Sequence, residues 1–268
     1  MPAVLNWFMK KKLTIPFFIL LVLLSGCFEI VQESNINADG SGVFSNKTDL
    51  SSMLGMVSML GGDEAKKMEK ETKDTTISLG SFKDSLSNLS EREKQLLDKA
   101  SLNIVLNVPD EKFFLAFNFP FAAPSDIKLI SGLLKKTKQK VISQELASMT
   151  PGDSSSTNSM SMLDGNESST PELDQYFDVT TEQGMLVKKI NKEKYANAAN
   201  DKDLKTLQEM SQLGTPFTVK TVFNLPKPVK KAEGKNIKLS SDKKQVTIEA
   251  TIDDFFDDPS KFEYLIEY

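Results

Sequence analysis

Two runs of strict period-two alternation constrain this chain more than any other feature. In the first, Leu102, Ile104, Leu106 and Val108 alternate with Asn103, Val105 and Asn107. In the second, Phe113, Leu115, Phe117, Phe119 and Phe121 occupy every other position, after the turn residues Pro109-Asp110-Glu111-Lys112. Successive strand side chains point to opposite faces, so the aliphatic row and the phenylalanine row share one buried face of a hairpin.

Other segments supply more sheet and the helices to cover it. Phe28–Ile36 and Val43–Thr48 flank Asn37-Ala38-Asp39-Gly40-Ser41-Gly42, turn formers between two β-prone stretches, which predicts a second hairpin. Asp49 can cap a short apolar helix carrying Leu50, Met53, Leu54, Met56, Val57 and Leu60, stopped by Gly61-Gly62. Residues 63–73 are rich in Lys and Glu and read as a solvated helix or extension. Ser90 with Glu93 makes a capping-box pattern ahead of Leu96, Leu97 and Ala100. Pro124-Ser125 opens a helix with Ile127, Ile130, Leu133 and Leu134 on one side.

Residues 149–172 are Ser, Thr, Gly, Asn and Asp with scattered Met, too polar to offset their ordering entropy, and are expected to be a disordered insertion. After it come two short strands in Tyr176–Ile190 around Gln183-Gly184. A helix with Leu204, Leu207, Met210 and Leu213 then ends at Gly214 and Pro216. The last third is sheet: Phe217–Leu225, the alternating Val246, Ile248, Ala250 and Ile252, then Phe262, Tyr264, Ile266 and Tyr268. This order of strands and helices predicts an α+β fold, antiparallel sheet packed with several helices. Residues 27–268 are read as one domain, with a second domain boundary at 149–172 as the alternative.

Composition excludes several chemistries. The chain has no His and one Cys among 268 residues. Histidine bases, Ser-His-Asp and Cys-His catalysis, and His-ligated metals are therefore ruled out, as are structural disulfides. Arg92 is the sole Arg, which makes bidentate carboxylate or phosphate clamps scarce. The net charge is −4 and becomes −7 without residues 1–26, which hold three lysines and no acids. An acidic chain is a poor match for nucleic acid. No cofactor and no metal are expected.

The one Cys has a telling context. Lys10, Lys11 and Lys12 precede an apolar run from Leu13 to Leu24, broken only by Thr14 and Pro16, and Leu24-Ser25-Gly26-Cys27 closes it. A run of this length is short of the roughly 20 residues a bilayer-spanning helix needs. An ordinary secretory signal does not call for Cys straight after Ser-Gly. The junction resembles the lipobox of bacterial lipoproteins. That resemblance implies attachment of a diacylglycerol to the Cys27 thiol, cleavage between Gly26 and Cys27 with removal of signal peptide 1–26, and acylation of the new Cys27 amine, with palmitate-type chains. Met9 starts a more typical signal than Met1, and both remain open as the start. Phe28 and Glu29 follow the Cys, with no Asp to signal inner-membrane retention, so an outer membrane is the expected destination in a cell that has one.

Cys27 with its following strand, Asn37-Ala38-Asp39-Gly40-Ser41-Gly42, the Phe217–Pro226 strand and Val246–Ile252 together resemble the LppM-type lipoprotein domain and a wider group of bacterial lipoproteins with a similar hairpin start. The likeness implies a lipid-anchored α+β envelope domain and carries over no functional residue except Cys27.

Four further patterns suggest chemistry, each beside a plainer explanation. Asn35, Asn37, Asp39, Gly40 and Ser41 sit at calcium-loop spacing, but Gly42 and Asn46 stand where an aliphatic residue and a bidentate acid belong, so a hairpin turn is expected. Asp253, Asp254, Asp257 and Asp258 could form a glycosidase pair, or simply a solvated turn. Ser125 and Lys128 match S-x-x-K without a following K-T-G. Met53, Met56 and Met59 could present an adaptable apolar surface, and the phenylalanine row could line a ligand cavity; core packing is the plainer role for both. The expected function is a non-catalytic, lipid-anchored binding or structural module whose partner is an envelope protein, a lipid or a glycan. The alternatives are a carboxylate-dependent envelope hydrolase using Asp253–Asp258 and an apolar-ligand carrier.

Overall fold

The computed structural model describes residues 28–52, 54, 72–149, 173–212 and 216–268. Cys27 and the segment before it, Met53, Met56 and Met59, most of the apolar helix expected after Asp49, Leu213, and residues 150–172 of the polar insertion lie outside the described residues.

The fold is α+β, built on two sheets. Strands β1 (Phe28–Ile36), β2 (Gly42–Asp49), β3 (Thr72–Ser78), β4 (Ser101–Asn107), β5 (Lys112–Phe121), β8 (Phe217–Asn224), β10 (Ile237–Leu239) and β11 (Gln245–Thr251) form an eight-stranded sheet in the order β10-β11-β8-β1-β2-β5-β4-β3. Strands β6 (Phe177–Glu182), β7 (Met185–Ile190), β9 (Lys231–Glu233) and β12 (Tyr264–Glu267) form a second sheet in the order β6-β7-β12-β9. The helices are α1 (Glu91–Lys99), α2 (Asp126–Met149), α3 (Lys192–Tyr195), α4 (Lys202–Gln212) and α5 (Ile252–Asp257).

Both expected hairpins form, one from its alternating rows and the other around its turn residues. Leu102 pairs with Phe117, Ile104 with Leu115 and Leu106 with Phe113, which puts all six on the buried face. In the first hairpin Asn37 and Ser41 close the turn through an N–H···O bond of 2.7 Å, and Gly40 takes φ +86°, a conformation that glycine adopts without steric cost. The two hairpins meet where β2 pairs antiparallel with β5.

The sheet departs from the all-antiparallel expectation at one junction: β1 pairs in parallel with β8, Phe28 opposite Phe217 through Asn35 opposite Asn224. The sheet thus draws strands from both sides of the 149–172 segment. A second departure is β3, whose first two residues ended the stretch 63–73 read from sequence as solvated and whose remainder was given no element. Its pattern is Thr, Lys and Asp because it is an edge strand with no residue fully buried, and charge there discourages pairing with other chains. A third is the acid-rich stretch after Ile252, which is helix α5 rather than a loop.

On the buried face lie α1 with Leu96 and Leu97, α2 with Ile127, Ile130, Leu133 and Leu134, and the second sheet with Leu186 and Ile266. A neighbouring cluster joins Ile30, Phe217, Val219 and Ala250 to Leu204 of α4, Phe255 of α5, and Tyr176, Phe177 and Phe262. The opposite face carries a band of cross-strand polar bonds. Ser45 donates to Asn118 (2.7 Å), Asn118 to Asn103 (2.9 Å) and Asn103 to Thr76 (2.7 Å), tying four strands together.

The capping box at Ser90 and Glu93 is complete and fixes the start of α1. Between the two capping residues, Arg92 supplies the clamp that its scarcity argued against. Its Nε and a terminal nitrogen donate to the two carboxylate oxygens of Asp126 at 2.9 and 2.5 Å. The Ala122 and Ala123 N–H groups donate to Asp126 as well, both at 3.1 Å. Burial pushes the Asp126 carboxyl up, but the bonds from Arg92, Ala123 and Ala122 outweigh it and hold the group below the ordinary carboxylate range. Asp126→Ala is expected to cost about 2–3 kcal/mol at neutral pH, as the loss of charge-assisted bonds does. A lowered folded pKa gives stability that is complete above the unfolded value, near 4, and is lost as pH falls through the folded value. Urea unfolding at pH 7 and pH 2.5 should therefore show the gap between wild type and variant shrinking in acid; an unchanged gap would contradict this account.

Candidate functional site

The inward rows of β1 and β2 are not uniformly apolar. Between Ile30 and Ile36 the inward positions of β1 are Gln32 and Ser34, and opposite them β2 presents Asn46 and Phe44. Asn46 is only 1 % exposed, and its Oδ1 has no hydrogen-bond partner among the described residues. Such an orphaned acceptor costs about 1–3 kcal/mol unless something else donates to it.

A small pocket lies here. It is lined by Gln32 and Asn46 from the sheet, Ser131, Leu134 and Lys138 from α2, and Leu173 and Asp174, which lead into β6. Its volume is about 30 Å³, enough for one or two water molecules or the polar tip of a larger group. Lys138 is buried, with its ammonium 5.9 Å from the Phe117 ring centre. Asp174 is bound at 2.5 Å by the buried Lys188, whose ammonium also lies 4.6 Å from the centre of the Phe177 ring. The pocket therefore offers the amide oxygen of Asn46 as an acceptor among side chains that are mostly buried. That arrangement can hold a small polar group.

The sequence named Leu134 only as helix core and Asn46 only as a misfit in a calcium loop, and put none of these residues forward as a site. Their one signal was a polar residue at an inward position of an apolar alternation, visible only once strand register is known. Beside the pocket, Tyr176 is pushed above its usual range by burial and by its 2.6 Å bond to Asp201.

The residues that sequence did suggest are dispersed. Asp39 Oδ1 accepts from the N–H of Ser41 at 3.0 Å and from its hydroxyl at 2.7 Å, closing the hairpin turn on itself. The acids near the C-terminus are engaged separately. Asp254 accepts from the Thr251 N–H (2.9 Å) and from Lys261 (2.5 Å), completing the capping box of α5. Asp258 accepts from Lys235 (2.8 Å) and Ser260 (2.5 Å), and Asp253 from Ser211 (2.6 Å). Their partners lie on different elements, and each bond serves capping or docking. Ser125 and Lys128 are both exposed at the start of α2. Phe117 and Phe119 are fully buried, so the phenylalanine row is spent on the core. Among the described residues no three acids, His or Cys gather as a metal site would need.

No family model matches the chain, and no curated protein matches it. Among solved structures, it is similar to the folded domain of LppM from Mycobacterium tuberculosis, determined by NMR. The two share 7 % identity over 91 % of each chain, with a TM-score of 0.35. That neighbour is of the type the sequence resembles, but so loose a superposition carries no argument about function.

Proposed function

We propose that this chain is a bacterial envelope lipoprotein, anchored by lipid on Cys27 and working without catalysis as a binding or structural module. The observation that carries the reading is the Leu24-Ser25-Gly26-Cys27 junction after a basic, then apolar, leader. The absence of His and of any second thiol removes the commonest nucleophile activators. The ligand is an envelope protein, a lipid or a glycan, and the Asn46 pocket is the site best suited to seat a polar group of it. The destination is the outer membrane in a diderm cell, facing the periplasm or the exterior.

Each buried acyl CH₂ contributes about 0.8 kcal/mol, so two or three chains hold a protein stably on a bilayer. Growth with a clickable fatty acid should label the wild type, and Cys27→Ser should abolish the label and leave an uncleaved or mislocalised protein. Label persisting in the Ser variant would overturn the anchor. Pull-down and bound-lipid analysis of the acylated protein would identify the partner.

A further inference from the structure

No slack separates Cys27 from the folded sheet. Phe28 is the first residue of β1, and β1 is an interior strand between β8 and β2. The Phe28 N–H donates to the Pro216 carbonyl at 3.0 Å, and its ring stacks on Phe217 with centres 5.3 Å apart. The next residue, Glu29, is already paired with Asp49 on one side and Thr218 on the other. One residue of chain spans at most about 3.5 Å. A lipid on Cys27 is therefore tied to the end of a rigid sheet and not to a flexible tail.

Resting on the lipoprotein reading, we propose that this end of the eight-stranded sheet is a membrane-contacting surface, seated on the headgroups of a zwitterionic bilayer. Two of the four large apolar side chains most exposed among the described residues sit at this end. Phe114, 38 % exposed, lies opposite Asp49 in register. Met210, 37 % exposed, precedes Ser211, which is bonded to Asp253 just beyond the Thr251–Thr218 pair. Phenyl and thioether groups suit the boundary between headgroup and acyl chain. Among the described residues the charges at the same end are mostly acidic: Glu29, Asp49, Asp74, Asp110, Glu111 and Asp253 against Lys73 and Lys112, the latter paired with Asp110 at 3.6 Å. An anionic lipid surface would repel them, which is why the bilayer is zwitterionic. The nine residues of β1, at about 3.3 Å each, carry the Asn37–Gly42 turn roughly 26–30 Å away, where it faces outward.

Because Cys27 carries the lipid, an introduced cysteine is the only free thiol. Lys112→Cys marks the proposed contact end and Ser241→Cys the far end; both side chains are exposed. Each acylated variant would carry a fluorophore in phosphatidylcholine vesicles doped with a headgroup spin-labelled lipid. Quenching at position 112 should exceed that at 241 severalfold, fall when Phe114 and Met210 are both changed to Ser, and weaken in vesicles rich in phosphatidylglycerol. Equal quenching at the two positions, or stronger quenching at 241, would overturn the proposal. Mass spectrometry of the same samples reads the lipid separately. A chain with no acyl mass on Cys27 refutes the anchor, whereas an acylated chain with equal quenching refutes only the seated orientation.

Discussion

Replacing Gly42 with Val is expected to cost about 3–5 kcal/mol, at the top of the range for single substitutions. Gly42 sits where β2 leaves the turn and pairs with Ile36 on one side and Phe121 on the other. A Cβ there would lie 1.9 Å from the Asn35 carbonyl oxygen and 2.5 Å from Cζ of Phe121. The first is backbone of an interior strand and cannot give way. Relief would require the β1–β2 register to open, and with it the centre of the eight-stranded sheet. Asp39→Ala, three residues earlier, removes only the bonds from Ser41 on an exposed turn and should cost far less. Denaturant unfolding of a soluble form starting at Phe28 would rank the two, and its melting temperature should be the same with calcium as with chelator. A calcium-dependent rise of several degrees would mean that the turn binds the ion after all.

Phe255→Ala should cost about 3–5 kcal/mol through the cavity it leaves. The side chain is fully buried at the centre of an aromatic cluster. Its ring centre lies 5.3 Å from Tyr195, 5.5 Å from Tyr176 and 6.0 Å from Phe262. Tilted and edge-on aromatic pairs add about 0.5–1.5 kcal/mol each beyond area burial. The Tyr195 hydroxyl also donates to the Phe255 carbonyl at 2.8 Å, pinning α5 to α3. The half-buried neighbour Phe256 serves as the comparison, and Phe256→Ala should cost clearly less. If Asp253–Asp258 were a solvated turn, Phe255→Ala would lie within about 0.5 kcal/mol of wild type. Urea midpoints of the two variants decide between these outcomes.

The contrast between these positions shows how far a one-dimensional pattern reaches. Leu102–Val108, Phe113–Phe121 and the Asn37–Gly42 turn carry their structure locally: period-two burial and glycine-permitted backbone act over a few residues, and the structure follows them closely. The Ser90–Glu93 capping box and the inward face of α2 were legible for the same reason. Strand β3 was not, because an edge strand in water needs no apolar row and so leaves no signature. Helix α5 was missed because its acids read as solvated; their capping role depends on Thr251, Lys261 and Ser211 being brought alongside.

What the sequence by itself determined is the α+β class and the two hairpins, both consequences of residues near one another in the chain. Tertiary structure alone decided the parallel β1–β8 pairing, the Arg92–Asp126 clamp and the pocket at Asn46. Each joins residues dozens to nearly two hundred positions apart, Ile30 with Val219, Arg92 with Asp126 and Asn46 with Lys138. The physical reason is that these contacts depend on which surfaces remain to be buried once the local elements exist, and that choice leaves no periodicity in the chain.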